Sequence, residues 1–93
     1  MSEPLKLIEA RNRARKILES GSIVFTSHAA RELDKDDLTR IDAMNIIRAG
    51  VYQPPEYEQG AWRYRVMTQR MAVVLEFASD SELVVITGWR FKK

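Results

Sequence analysis

Residues 61–91 read AWRYRVMTQRMAVVLEFASDSELVVITGWRF. The stretch alternates where a helix would repeat every three or four residues. Trp62, Tyr64 and Val66 fall on one face of an extended chain, and Arg63, Arg65 and Met67 fall on the other. After Gln69-Arg70, a two-residue turn without the usual glycine, Met71, Val73, Leu75 and Phe77 repeat the pattern. Ser79-Asp80-Ser81 turns the chain again. Residues 82–91 are the most apolar segment, which places them at the centre of a sheet, covered on both faces for much of their length. Three strands in this order make an antiparallel meander.

Upstream, Val51-Tyr52, Pro54-Pro55 and Tyr57 read as an edge strand or extended connection, because proline is excluded from a central strand. Gln59-Gly60 supplies the turn into residue 61. The period changes at Gly50. In residues 1–21, Leu7, Ala10, Ala14, Ile17 and Leu18 follow the spacing of an amphipathic helix, with Pro4 suited to its first turn and Gly21 to its end. The basic run Arg11, Arg13, Arg15, Lys16 reads as the solvated face of that helix. Ser22-Ile23-Val24-Phe25-Thr26 reads as a short strand or an extended linker. Thr26 or Ser27 can cap a short helix over residues 28–33. Asp34-Lys35-Asp36-Asp37 is a polar break; its spacing lacks the glycine and distal glutamate of a calcium loop. Thr39 and Asp42 form a capping box for a third helix, with an apolar face of Ile41, Met44, Ile47, Ala43 and Ile46. Helices followed by a meander predict an α+β fold, with N-terminal helices packed on one face of a three- to four-stranded antiparallel sheet.

The chain has 93 residues, so one domain spanning 1–93 is expected: an N-terminal helix over 1–21 and a core over 22–93. With no cysteine, a disulfide framework and a thiolate nucleophile are both excluded. The longest apolar runs, residues 71–75 and 83–86, fall far short of the roughly 20 residues of a membrane span. The start, MSEPLKLIEARNRARK, has no apolar core before its charges, so a cytoplasmic protein without a membrane partner is the expectation. Fifteen Lys and Arg oppose 13 Asp and Glu, a net charge of +2. Residues 1–50 carry nine basic and eight acidic side chains, and residues 51–93 carry six and five. Any polyanion must therefore be met by a local cluster and not by a basic surface.

If helices cover one sheet face, Arg63 and Arg65 reach the other, about 7 Å apart along the strand. There they either clamp a phosphodiester or stand as solvated residues, with Glu76 across the ladder to neutralise one of them. His28 is the single histidine, at the first turn of a short helix, and the one side chain that ordinarily titrates near neutrality. Gly88 inside a strand points to a bulge or a close approach by another group. Trp89 reads as an apolar anchor or a stacking platform for a base, and Arg90 as a phosphate ligand or a solvated strand end. Phosphate-loop, dinucleotide, zinc-protease and nucleophile-elbow motifs are all missing from the sequence.

As an ordered series, Phe25-Thr26-Ser27-His28-Ala29-Ala30-Arg31-Glu32-Leu33, Asp42-Ala43 in a helix ending at Gly50, Trp62-Arg63-Tyr64-Arg65-Val66 and Val84-Val85-Ile86-Thr87 resemble the DUF4258 group of small proteins. That group carries an S-x-H-A-x-x-R opening, an R-Y-x-V strand and a final V-x-T strand. The resemblance covers roughly residues 23–91. It departs at the basic N-terminal helix, and at Arg31-Glu32-Leu33-Asp34-Lys35-Asp36, where the group has R-E-R-M-x-x-R. The group looks like the fold shared by barnase, colicin-type RNases and RelE toxins. The resemblance implies a metal-independent endoribonuclease, the toxin of a toxin–antitoxin pair, with no cofactor. Its partners would be RNA and a cognate antitoxin protein. By that resemblance His28, Arg31, Arg63, Arg65 and Thr87 fall on the group's motif positions. The expected site then has His28, Arg65 and Thr87 as catalytic and Arg31 and Arg63 as substrate-binding. The reading of the residues themselves adds Trp89 and Arg90 to the substrate-binding set and Glu76 as a reserve base. The alternative is a non-catalytic RNA- or protein-binding regulatory module of the same fold.

Overall fold

The computed structural model describes residues 3–91. Helix α1 (Leu7–Ser20) opens after Lys6, whose backbone N–H donates to the Glu9 carboxylate, and buries Ala10, Ala14 and Ile17. Pro4 lies just ahead of the helix. Strand β1 (Ser22–Phe25) leads to α2 (Ser27–Lys35), capped by the Thr26 hydroxyl, which accepts from the Ala29 N–H at 3.0 Å. Thus α2 runs two residues further than the apolar spacing implies, and Asp36-Asp37 makes the break. In α3 (Arg40–Ala49) the capping box of Thr39 and Asp42 is present. Its inner face is Ala43, Ile46 and Ile47, with Met44 half-buried, whereas Ile41 is 68% exposed. That places the stripe about a third of a turn away from one running through Ile41, Met44 and Ile47.

The sheet has six strands, more than the three or four expected. They are β1, β2 (Val51–Tyr52), β3 (Glu56–Glu58), β4 (Ala61–Met67), β5 (Met71–Ser79) and β6 (Glu82–Arg90). Their order is β1-β6-β5-β4-β2, and β3 pairs with the other half of the same β4 edge. All pairings are antiparallel except β1 with β6. The extended reading of residues 22–26 therefore resolves as a parallel edge strand. The centre belongs to β5. Strand β6, expected there, lies one place out and is the less apolar of the two, and its Val84, Ile86 and Thr87 are only half-buried, so it is not covered on both faces.

Local chemistry sets these turns. Gln59 and Gly60 both have positive φ, 50° and 84°, the pair a two-residue hairpin loop of the primed type needs between β3 and β4. Between β4 and β5 no glycine is needed, because the Thr68 hydroxyl accepts from the N–H groups of Arg70 and Met71. In β6 the ladder shifts register: Val74 faces Thr87 but Leu75 faces Val85, so Ile86 is an extra residue.

The helices pack on one sheet face. Their buried residues form one core with Tyr64, Val66, Met71, Val73, Leu75, Leu83 and Val85. Gly88 belongs to that face. A Cβ there would stand 2.9 Å from Leu33 Cδ2 of α2, so the close approach that the glycine signals is by a helix and not by a ligand. Bulge and glycine together let α2 lie along β6.

Candidate functional site

The face away from the helices is a three-row array. Strand register places Arg65, Val74 and Thr87 in one row across β4, β5 and β6, and Met67, Ala72 and Trp89 in the next. The third row carries Glu76 beside Val84, with Arg63 of β4 reaching Glu76. Ala72 is fully buried yet stands outside the main core. Its flanking Met67 and Trp89 cover it, so the Trp89 ring lies across the open face.

The two arginines of the array have opposite fates. Arg63 makes ion pairs with Glu58 at 3.1 Å and Glu76 at 3.4 Å. Its charge is met by two carboxylates, and its side chain is only 19% exposed. Arg65 is exposed, makes no ion pair among the described residues, and holds its guanidinium 5.7 Å from the centre of the Trp89 ring. Such a contact is worth about 0.5–1 kcal/mol at an exposed site, enough to bias the side chain toward Trp89 without consuming its hydrogen-bond donors. Phe91 stands edge-on to Trp89, with ring centres 6.5 Å apart. A groove of about 280 Å³ runs beside this array. Gln53, Pro54, Glu56 and Glu58 form one wall, and Arg63 and Arg65 line the other.

Thr87 and Trp89 share the open face with Arg65. Thr87 and Arg65 are separated by β5, which spaces their backbones by roughly 10 Å. His28 lies on α2, two residues after Thr26, whose hydroxyl donates to the Ile86 carbonyl at 3.2 Å. The imidazole is exposed and, among the described residues, makes no hydrogen bond or ion pair. It therefore belongs to the edge of β6 opposite the one facing Arg65. Arg31 is likewise exposed on α2. Arg90 goes elsewhere. Its N–H donates to the Asp36 carboxylate at 2.7 Å and its guanidinium to the carbonyls of Asp36 and Asp37, a tie between the end of β6 and the α2–α3 turn. The expected trio of Arg63, Arg65 and Arg90 is thus one available arginine, one neutralised arginine and one structural arginine. Lys92 and Lys93, which follow it, lie outside the described residues.

A second concavity, of about 370 Å³, opens on the helix side, between the segment before α1 and the aromatic side chains of Tyr57, Trp62, Tyr64 and Phe77. The Tyr64 hydroxyl donates to the Leu5 carbonyl. Arg13 stands 5.7 Å from the Phe77 ring centre and pairs with Asp80 at 3.2 Å. Arg15 donates to the Arg48 carbonyl in the last turn of α3. Two members of the basic run on α1 thus hold neighbouring elements, a role that charge spacing alone does not reveal.

No family model, curated protein or solved structure matches the chain. The site rests on its own geometry: a guanidinium over an indole and without an ion pair among the described residues, a hydroxyl in the same row as that guanidinium, and an exposed imidazole on the helix that follows β1.

Proposed function

We propose that the open sheet face binds single-stranded RNA and that the protein is a metal-independent endoribonuclease of RelE/barnase type, acting as the toxin of a toxin–antitoxin pair. The observation that carries this reading is Arg65, without a carboxylate partner among the described residues and held over Trp89 beside Thr87. An indole offers a face on which any base can stack, and a guanidinium beside it is placed for the phosphate that follows the base. RNA supplies its own nucleophile. The 2′-oxygen attacks phosphorus, its proton passes to a base, and the 5′-oxygen leaves after accepting a proton from an acid. The products are a 2′,3′-cyclic phosphate and a 5′-hydroxyl. In this reading His28 serves as base or acid, Arg65 stabilises the charge that develops on phosphorus, and Thr87 orients the phosphate. Arg31 extends the phosphate path along α2. Arg63 and Glu76 set the electrostatics of the groove, with Glu76 as the reserve base.

The test is cleavage of a labelled single-stranded RNA in the presence of a chelator. Wild type should yield the cyclic phosphate, and one deoxynucleotide at the cut site should block the reaction. Arg65→Ala and His28→Ala should each lower the rate roughly 10²-fold or more. Equal rates for wild type and the double variant would overturn the catalytic reading. The position of α2 and His28 at the edge of β6 opposite the one facing Arg65 favours a second reading, a non-catalytic RNA-binding regulatory module. In that case wild type leaves RNA intact, while Arg65→Ala and Trp89→Ala still weaken its binding.

A further inference from the structure

The two edges of the sheet are finished differently. The β2–β3 edge carries Pro54-Pro55 between its strands and Glu56 and Glu58 beyond, the usual devices against strand addition. The other edge is β1, and Ser22-Ile23-Val24-Phe25 contains neither proline nor charge. Its inner side is settled: the N–H groups of Ser22 and Thr26 donate to the carbonyls of Ser81 and Val85. Ser22, Val24 and Thr26 therefore turn their backbone groups toward β6, and Ile23 and Phe25 turn theirs outward. Among the described residues, nothing bonds the outward N–H and C=O of Ile23 or Phe25. Between them Val24, 41% exposed, projects on the open face.

This edge is self-complementary. We propose that a second copy of the chain pairs on β1, antiparallel, about a two-fold axis through Val24. Ile23 of each copy then faces Phe25 of the other, and the four N–H groups and four carbonyls left outward on the two chains close four hydrogen bonds with no remainder. Val24 meets its own counterpart in the non-hydrogen-bonded position, where backbones approach to about 4.5 Å and side chains are closest. Ser22 and Thr26 flank the axis as uncharged residues, so no like charges oppose one another. The pairing is short and the interface falls in the small, weak class. The axis stands perpendicular to the sheet, so both open faces look the same way. Arg65 and Trp89 of the two copies then share one surface.

The absence of cysteine from the chain makes the test clean. Val24→Cys in the full chain places two thiols across the axis within disulfide reach. Mild oxidation should link it as a dimer about tenfold or more faster than Ile41→Cys, a more exposed control on α3. Sedimentation of wild type should show a dimer that grows with concentration. Val24→Lys and Val24→Glu should each sediment as monomers, and their equimolar mixture should dimerise. A wild type that stays monomeric at its highest soluble concentration would overturn the proposal. So would equal linkage at positions 24 and 41, or a Val24→Lys variant that still dimerises. RNA cleavage by the monomeric variants reports on the open face separately.

Discussion

Single residues decide which charges are available to a ligand. Arg63 and Arg65 are indistinguishable in an alternating strand, and the sequence does place them both on the open face. What separates them is a glutamate on a neighbouring strand, visible only once Glu58 and Glu76 are folded against Arg63. His28 was legible as a lone titratable group, but its distance from the Arg65 row was not, because that depends on how α2 leaves β1. Two residues titrate in ways that can be measured. Hydrogen bonds from the Thr39 N–H and hydroxyl hold the Asp42 carboxyl below its ordinary 3.8. Its folded state favours the ion, so this stabilisation is present above that value and fades as pH falls below it. Thr39→Ala should cost about 1 kcal/mol at neutral pH and flatten the acid limb of a urea-unfolding series. Burial pushes the Tyr52 phenol well above its ordinary 10.0, while its hydroxyl donates to the Ile47 carbonyl at 2.8 Å. The folded state there favours the neutral form, so stability is full below pH 10 and falls as pH rises above it. Tyr52→Phe should lose about 1 kcal/mol at neutral pH and remove most of that alkaline fall.

At the scale of elements, periodicity worked where one face alone is buried. The bounds of α3, β4 and β5 and the end of α1 follow from apolar spacing and capping residues, since burial on one side writes a plain pattern, whereas α1 starts at Leu7, past the Pro4 expected in its first turn. It failed where two elements meet edge-on. In β6, simple alternation from Val85 would send Thr87 and Trp89 to the helix side, and the extra residue Ile86 reverses that assignment. A bulge of this kind leaves no composition signal beyond the nearby Gly88. The glycines rank by what surrounds them. At Gly21 a Cβ would meet the Ser81 backbone carbonyl at 2.5 Å, whereas at Gly88 the first obstacle is the tip of the Leu33 side chain. A side chain can change rotamer, but a backbone carbonyl that accepts from the Ser22 N–H cannot. Gly88→Ala should therefore cost about 1–3 kcal/mol, and Gly21→Ala distinctly more, as read from urea midpoints at unchanged m-value. Asp36→Ala should free the end of β6 from the α2–α3 turn and raise hydrogen exchange at Arg90 without touching the strands behind it.

For the whole molecule, the α+β class and the one-sided packing of helices were legible from the order of periods. The strand count and the parallel β1–β6 pairing were not. Two-residue and three-residue strands such as β2 and β3 are too short to show alternation, and a pairing between residues 22–25 and 82–85 leaves no local trace. Net charge gives a further expectation at this scale. With +2 overall and one free arginine in the array, RNA affinity should fall shallowly with salt. The log–log slope for single strands should be roughly 0.7 per phosphate contact. Arg65→Ala should reduce that slope by about one contact in a fluorescence titration. A slope unchanged by the substitution would place the contact elsewhere.

The β1–β6 pairing also sets an order of events during synthesis. A chain emerging from the ribosome presents β1 first, and its partner follows some sixty residues later. Helices α1, α2 and α3 and the hairpins can form on local contacts as they appear. The strand Ser22-Ile23-Val24-Phe25 must wait, with neither edge satisfied, until β6 has left the exit tunnel. A nascent chain stalled before residue 82 should leave this segment open to proteases and to chaperones that capture extended apolar peptides. The window should close abruptly once β6 itself has cleared the tunnel.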